Sequence, residues 1–152
     1  MNETLQLQLN QLQLPQQATS WLLSLYDIIQ SFDDIMDKAE ISTDDIYNLV
    51  FNSIVAMPTN PFYAQNIASL ATLVNLNLLK WIASNKVEKE GNADAKSYNW
   101  RAGYYDIVLN VVFICHGFAT ASKNADNILS LYGEKLEDYL KEFQPCQTQQ
   151  QQ

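Results

Sequence analysis

Glycine and proline are scarce, four of each in 152 residues. Tight turns and hairpins draw on both, so their scarcity excludes a many-stranded sheet and favours long helices. Cysteine is limited to Cys115, in an apolar run, and Cys146, in a polar tail. Two cysteines so placed exclude a disulfide framework and a cysteine zinc site, and point to a reducing compartment. Basic residues number nine against 17 acids, a net charge of −8. A phosphate backbone or an anionic membrane needs clustered Lys and Arg, so neither nucleic acid nor membrane is an expected partner. The opening residues lack the basic segment and unbroken apolar stretch of a signal peptide. The longest apolar run, Tyr104 to Phe118, is broken by Asp106 and Asn110 and is short for a membrane span. Nor is there a Gly-rich phosphate loop or a Ser–His–Asp or Cys–His pattern around the single histidine, His116.

What is present suits one all-α domain: 47% of the residues are hydrophobic, in a chain long enough to bury a core. Leu and Gln alternate within residues 2–14, which predicts an extended N-terminal arm over 1–14, although Leu5, Leu9 and Leu12 would also share one helix face. From Pro15 a bundle of about five helices is expected to run to residue 143, followed by a disordered Gln-rich tail over 144–152. The first helix, Ala18 to about Ala39, carries an apolar stripe of Trp21, Leu25, Ile28, Ile29, Phe32, Ile35 and Met36. A capping box at Ser42 opens a second helix, stopped by Pro58. Asn60 and Pro61 open a third that runs to about Glu90. It is apolar almost all round, which predicts a buried central helix. A fourth spans about Ala93 to His116, where His116 suits the negative end of the helix dipole. The last, Lys123 to Phe143, meets a break near Gly133.

Charge is densest between Tyr26 and Lys38, which hold Asp27, Asp33, Asp34 and Asp37. Asp27, Gln30, Asp34 and Asp37 fall opposite the apolar stripe, as a solvated face should. Yet Asp is a poor helix-interior residue, carboxylates are unfavourable near a helix C-terminus, and like charges three or four apart repel. A Mg²⁺ or Mn²⁺ ion, or a Lys or Arg from another helix, would relieve all three costs. On the fourth helix Asn99, Gly103, Asp106 and Asn110 form a polar stripe in an otherwise apolar run. Gly103 leaves room for a close approach there. Asp106 is expected to be buried and therefore paired, with Lys80 or Arg101, or bound to a metal. The candidate metal set is thus Asp27, Asp34, Asp37 and Asp106. Gln30, Lys80, Asn99, Arg101 and Asn110 are candidates to meet a ligand.

Asp33-Asp34-Ile35-Met36-Asp37 resembles the DDxxD motif of isoprenyl diphosphate synthases, sited likewise late in a long helix. The resemblance implies Mg²⁺ bridged to a diphosphate. The basic residues that follow the motif in that family are missing, and so is a second aspartate-rich motif. Residues 15–117, with YDIIQSFDDIMD, AMPTNPF, LKWIAS and YNWRAGYYDIVL, resemble small all-helical proteins of phages and prophages. That resemblance implies the cytoplasm of a bacterial host, or a virion, as the setting. Two functions follow as expectations. One is a helical phage protein that works through contact with a protein partner or with itself. The other is Mg²⁺-dependent binding or hydrolysis of a phosphorylated small molecule.

Overall fold

The computed structural model describes residues 2–37 and 39–143, so the expected tail over 144–152 lies outside them. Among the described residues every regular element is helical.

The N-terminal arm is not extended. Residues Glu3–Gln11 form helix α1, capped by the Asn2 side chain, which accepts from the Leu5 N–H at 3.1 Å. Leucine at every second position also places Leu5 and Leu9 four apart. Both are fully buried, while Leu7 stays exposed. Burying each contributes about 1.5–3 kcal/mol, more than the period-two pattern offers an isolated strand. Gln13, at φ 52°, turns the chain into α2, Gln16–Met36.

Trp21, Leu25 and Ile28 of the α2 stripe are buried, whereas Phe32, Ile35 and Met36 run past the core into solvent. Helix α3, Thr43–Phe51, opens on the Ser42 capping box, closed by Asp45. Hydrogen bonds from the Ser42 side chain and backbone hold the Asp45 carboxyl below its usual range. The helix does not stop at Pro58. A π turn, Asn52–Ala56, widens the backbone just where a proline ring would meet the preceding turn. One more turn follows, α4, Met57–Thr59. Asn60 then caps α5, Pro61–Gln65, by accepting from the Tyr63 N–H at 3.1 Å.

The expected helix from Pro61 to Glu90 breaks at Asn66, whose side chain donates back to the Phe62 carbonyl at 2.8 Å. The long part, α6, is Ile67–Lys89. Contrary to expectation it is not a buried central helix. Ile67, Leu76, Leu78, Leu79 and Ile82 are about half exposed, and its buried residues are Leu70, Asn77, Ser84 and Glu88. Among the described residues it is the one helix long and apolar enough to cross a membrane by length and composition.

The expected fourth helix breaks at Ala102 into α7, Ala95–Arg101, and α8, Gly103–His116. Gly117, at φ 84°, ends α8 in a conformation that favours glycine. Helix α9, Phe118–Leu129, and α10, Leu136–Phe143, flank the break around Gly133. The core joins α1, α2, α5, α6, α8 and α9 around Trp21, Leu22, Leu70, Val108, Val111 and Ile128. Trp21 stacks on Tyr63 with ring centroids 5.4 Å apart.

Candidate functional site: the groove between α2 and α6

Helix α6 turns Asn77, Lys80, Ser84 and Glu88 toward the antiparallel α7 and α8. Asn110 Nδ2 donates to Ser69 Oγ at 3.4 Å, and Lys80 Nζ lies 2.7 Å from Asp106 Oδ2. Ser84 Oγ lies 2.6 Å from Glu88 Oε1 and 3.1 Å from the Ser97 carbonyl. Between these, Asn77 packs directly on Gly103. A Cβ on residue 103 would stand 2.1 Å from Asn77 Oδ1, so the two helices meet this closely only over a glycine.

Arg101 closes one end of this seam. Its Nη1 donates to Glu88 Oε2 at 2.8 Å, and its Nη2 lies 3.5 Å from Asp33 Oδ1. The Phe143 ring sits 5.7 Å from the guanidinium carbon. Glu88 is buried, and it accepts from the fully buried Tyr139 Oη at 2.7 Å, which ties α10 to α6. Such a buried pair holds because its remaining lone pairs are satisfied. Burial pushes the Asp33 carboxyl above its usual range. Arg101 pulls it back, while Asp37, Asp34 and Glu88 push it further up. Burial likewise raises Glu142, helped by Glu134, Asp37 and Glu88 against Arg101. One arginine therefore stands among several carboxylates, and this end of the molecule stays negative.

The expected metal set does not assemble. Among the described residues no three His, Cys, Asp or Glu side chains group closely enough to hold a metal ion. Asp34 and Asp37 are exposed, and Asp27 is half-buried on α2. Asp106 is not buried as expected; its side chain is 38% exposed and pairs with Lys80. The positive partner expected of the aspartate stretch is an arginine, and it stands at Asp33 rather than at Asp34 or Asp37. Of the candidate ligand residues, Gln30 and Asn99 are exposed, Asn110 bonds within the seam, and Lys80 and Arg101 are taken by carboxylates. His116 ends α8 and places its Nε2 3.0 Å from the Leu12 carbonyl, tying down the turn after α1.

What the fold does build is a groove. Helices α2 and α6 stand apart over a floor of α8, enclosing a cavity of about 240 Å³. Leu25, Ile28, Ile29 and Phe32 form one wall, and Val74, Leu78 and Trp81 the other. Gly103, Tyr104 and Ile107 form the floor, and Trp100 and Arg101 line the cavity as well. Asn77 also lines it, its Oδ1 buried and without a hydrogen-bond partner. Trp81, Trp100 and Asp33 were not among the sequence-stated candidates. For Asp33 the signal was present: at about 100° per residue it falls roughly 40° from Ile29, beside the apolar stripe rather than opposite it. Nothing comparable singled out the two tryptophans, because two apolar side chains on separate helices share no pattern.

Family models, curated proteins and solved structures yield no match to this chain.

Proposed function

We propose that this chain is a helical protein of phage type that acts through protein–protein contact, and that the groove between α2 and α6 receives an amphipathic helix of its partner. The observation that carries this reading is the groove itself, an open cleft of about 240 Å³ with apolar walls whose rims, Phe32 and Leu78, are 46% and 47% exposed. An amphipathic helix laid into an apolar groove is a recurring mode of recognition, read through anchors at i, i+4 and i+7. Charge names the kind of helix. Asp33, Glu88 and Glu142 surround Arg101 at one end, with Asp37 near them, so basic residues at one end of the partner helix complement the site. The resemblance of residues 15–117 to phage and prophage proteins supports a bacterial host cell as the setting.

Selection from a library of displayed helical peptides tests the reading. Recovered peptides should carry apolar residues on one face and Lys or Arg at one end. Leu78→Glu, on the exposed rim, should weaken their binding at least about tenfold, the effect of roughly 1.4 kcal/mol. No enrichment, or binders indifferent to Leu78→Glu, would remove the groove as the contact surface.

A further inference from the structure

The face of α6 turned away from the groove and the core carries a pattern of its own. Ala68, Thr72, Asn75, Leu79, Ile82 and Lys86 follow one another at spacings of four and three, and all six are exposed. They lie opposite the buried Leu70, Asn77, Ser84 and Glu88. A repeat averaging 3.5 residues is the seam that one helix offers another along its length. Among the described residues nothing packs on it.

We infer that this seam pairs with its equivalent on a second copy of the chain, antiparallel, about a two-fold axis near Asn75. Charge selects the occupant. The chain has 17 acids and a net charge of −8, yet none of those acids lies between Ile67 and Val87. Glu88 points inward to Arg101. Two copies of so acidic a chain can come into close contact here without setting carboxylates against each other in the seam itself.

Size and polarity fix the direction. Antiparallel pairing sets Ala68 and Thr72 of one copy against Ile82 and Leu79 of the other, small against large, so that the seam fills without a void. It opposes the two helix dipoles and sends the Lys86 and Lys89 pairs to opposite ends. Asn75 meets its symmetry mate at the axis, and a carboxamide, with both donor and acceptor, satisfies its own copy. A lipid surface fits less well. Ile67–Lys89 has the length of a span, but Thr72 and Asn75 lie within its outward line. This pairing goes beyond the groove reading and stands or falls separately from it.

Sedimentation equilibrium on the full chain reads the outcome. The wild type should show twice the chain mass of 17.3 kDa. Leu79→Glu should return it to the single-chain mass with an unchanged helical circular dichroism spectrum, since Leu79 is 54% exposed and supports no core contact. Asn75→Asp, which sets two carboxylates face to face at the axis, should do the same, and keeps the test open if Leu79→Glu misfolds. In a background with Cys115→Ser and Cys146→Ser, a mixture of Ala68→Cys and Ile82→Cys chains should cross-link on oxidation, and Ala68→Cys chains alone should not. A wild type that stays at the single-chain mass up to about 0.5 mM would overturn the inference, because pairing weaker than that is no stable state. So would a dimer that survives both Leu79→Glu and Asn75→Asp. A monomer that floats with phosphatidylcholine vesicles, and sinks as Leu79→Glu, would give the face to lipid instead.

Discussion

Asp33 and Asp34 are neighbours in sequence, and the fold separates them. Asp34 is exposed; Asp33 is half-buried beside Arg101. The sequence showed that the acidic stretch needed a positive partner, and it named Arg101 as a candidate partner, though for Asp106. It did not show which acid would be met, because that depends on the angle at which α7 crosses α2. Burial and the neighbouring carboxylates together outweigh Arg101, so the folded Asp33 binds its proton more tightly than the unfolded chain, whose ordinary value is 3.8. The stability that Asp33 contributes is therefore complete below 3.8 and is lost as pH rises through the folded value. Asp33→Asn removes that loss. Its melting temperature should match wild type near pH 3 and exceed it by about 1–2 °C at pH 7, a shift of roughly 0.5 kcal/mol for a chain this size. A lower melting temperature at pH 7 would mean that attraction to Arg101 wins after all. The Lys80–Asp106 pair, about a third exposed on each side, stabilises by no more than about 1 kcal/mol.

At the scale of the element, caps were legible and orientations were not. Ser42, Asn60 and Gly117 mark helix ends in the sequence because capping is local chemistry. The setting of α6 was hidden, since a helix apolar nearly all round has no periodicity to orient it. Asn77, Lys80 and Glu88 face inward because α7 and α8 meet each of them: Gly103 lies under Asn77, Asp106 at Lys80 and Arg101 at Glu88. The α1 arm was misleading for the converse reason, since alternating leucines satisfy a strand and a helix face equally well. Gly103 is the residue on which the α6–α8 contact turns. Gly103→Ala should destabilise by about 1–3 kcal/mol, because the new methyl meets Asn77 Oδ1, Cγ and Cβ together and the whole side chain must move. With Asn77→Ala already in place the same change should cost less, because Oδ1 and Cγ are gone and only the Cβ at 3.0 Å is left to give way, while alanine favours helix over glycine by up to about 1 kcal/mol. Urea unfolding of the four chains measures the coupling. An equal loss in both backgrounds would show that the close approach is not what the glycine serves.

For the whole molecule the decisive quantity is charge, −8 in all and unevenly spread. The groove ends among carboxylates around a single arginine, while the outer face of α6 holds no acid. Composition alone showed that the chain is acidic and helical; which surface is free of acid required knowing which side of α6 turns outward. The two proposed contacts consequently answer to salt with opposite signs. A basic partner helix in the groove is drawn in by long-range attraction, and two copies joined along α6 are held apart by the repulsion of everything outside the seam. Raising ionic strength from about 0.01 M to about 0.15 M shortens the screening length from about 30 Å to about 8 Å. Over that range the affinity of a basic amphipathic peptide for the groove should fall several-fold, and the self-association constant should rise. Fluorescence anisotropy of the labelled peptide and sedimentation equilibrium of the chain follow the two separately. Association that weakens with salt in both experiments would place ion pairs at the α6 seam, which its sequence does not supply, and would move the self-contact to another face of the molecule.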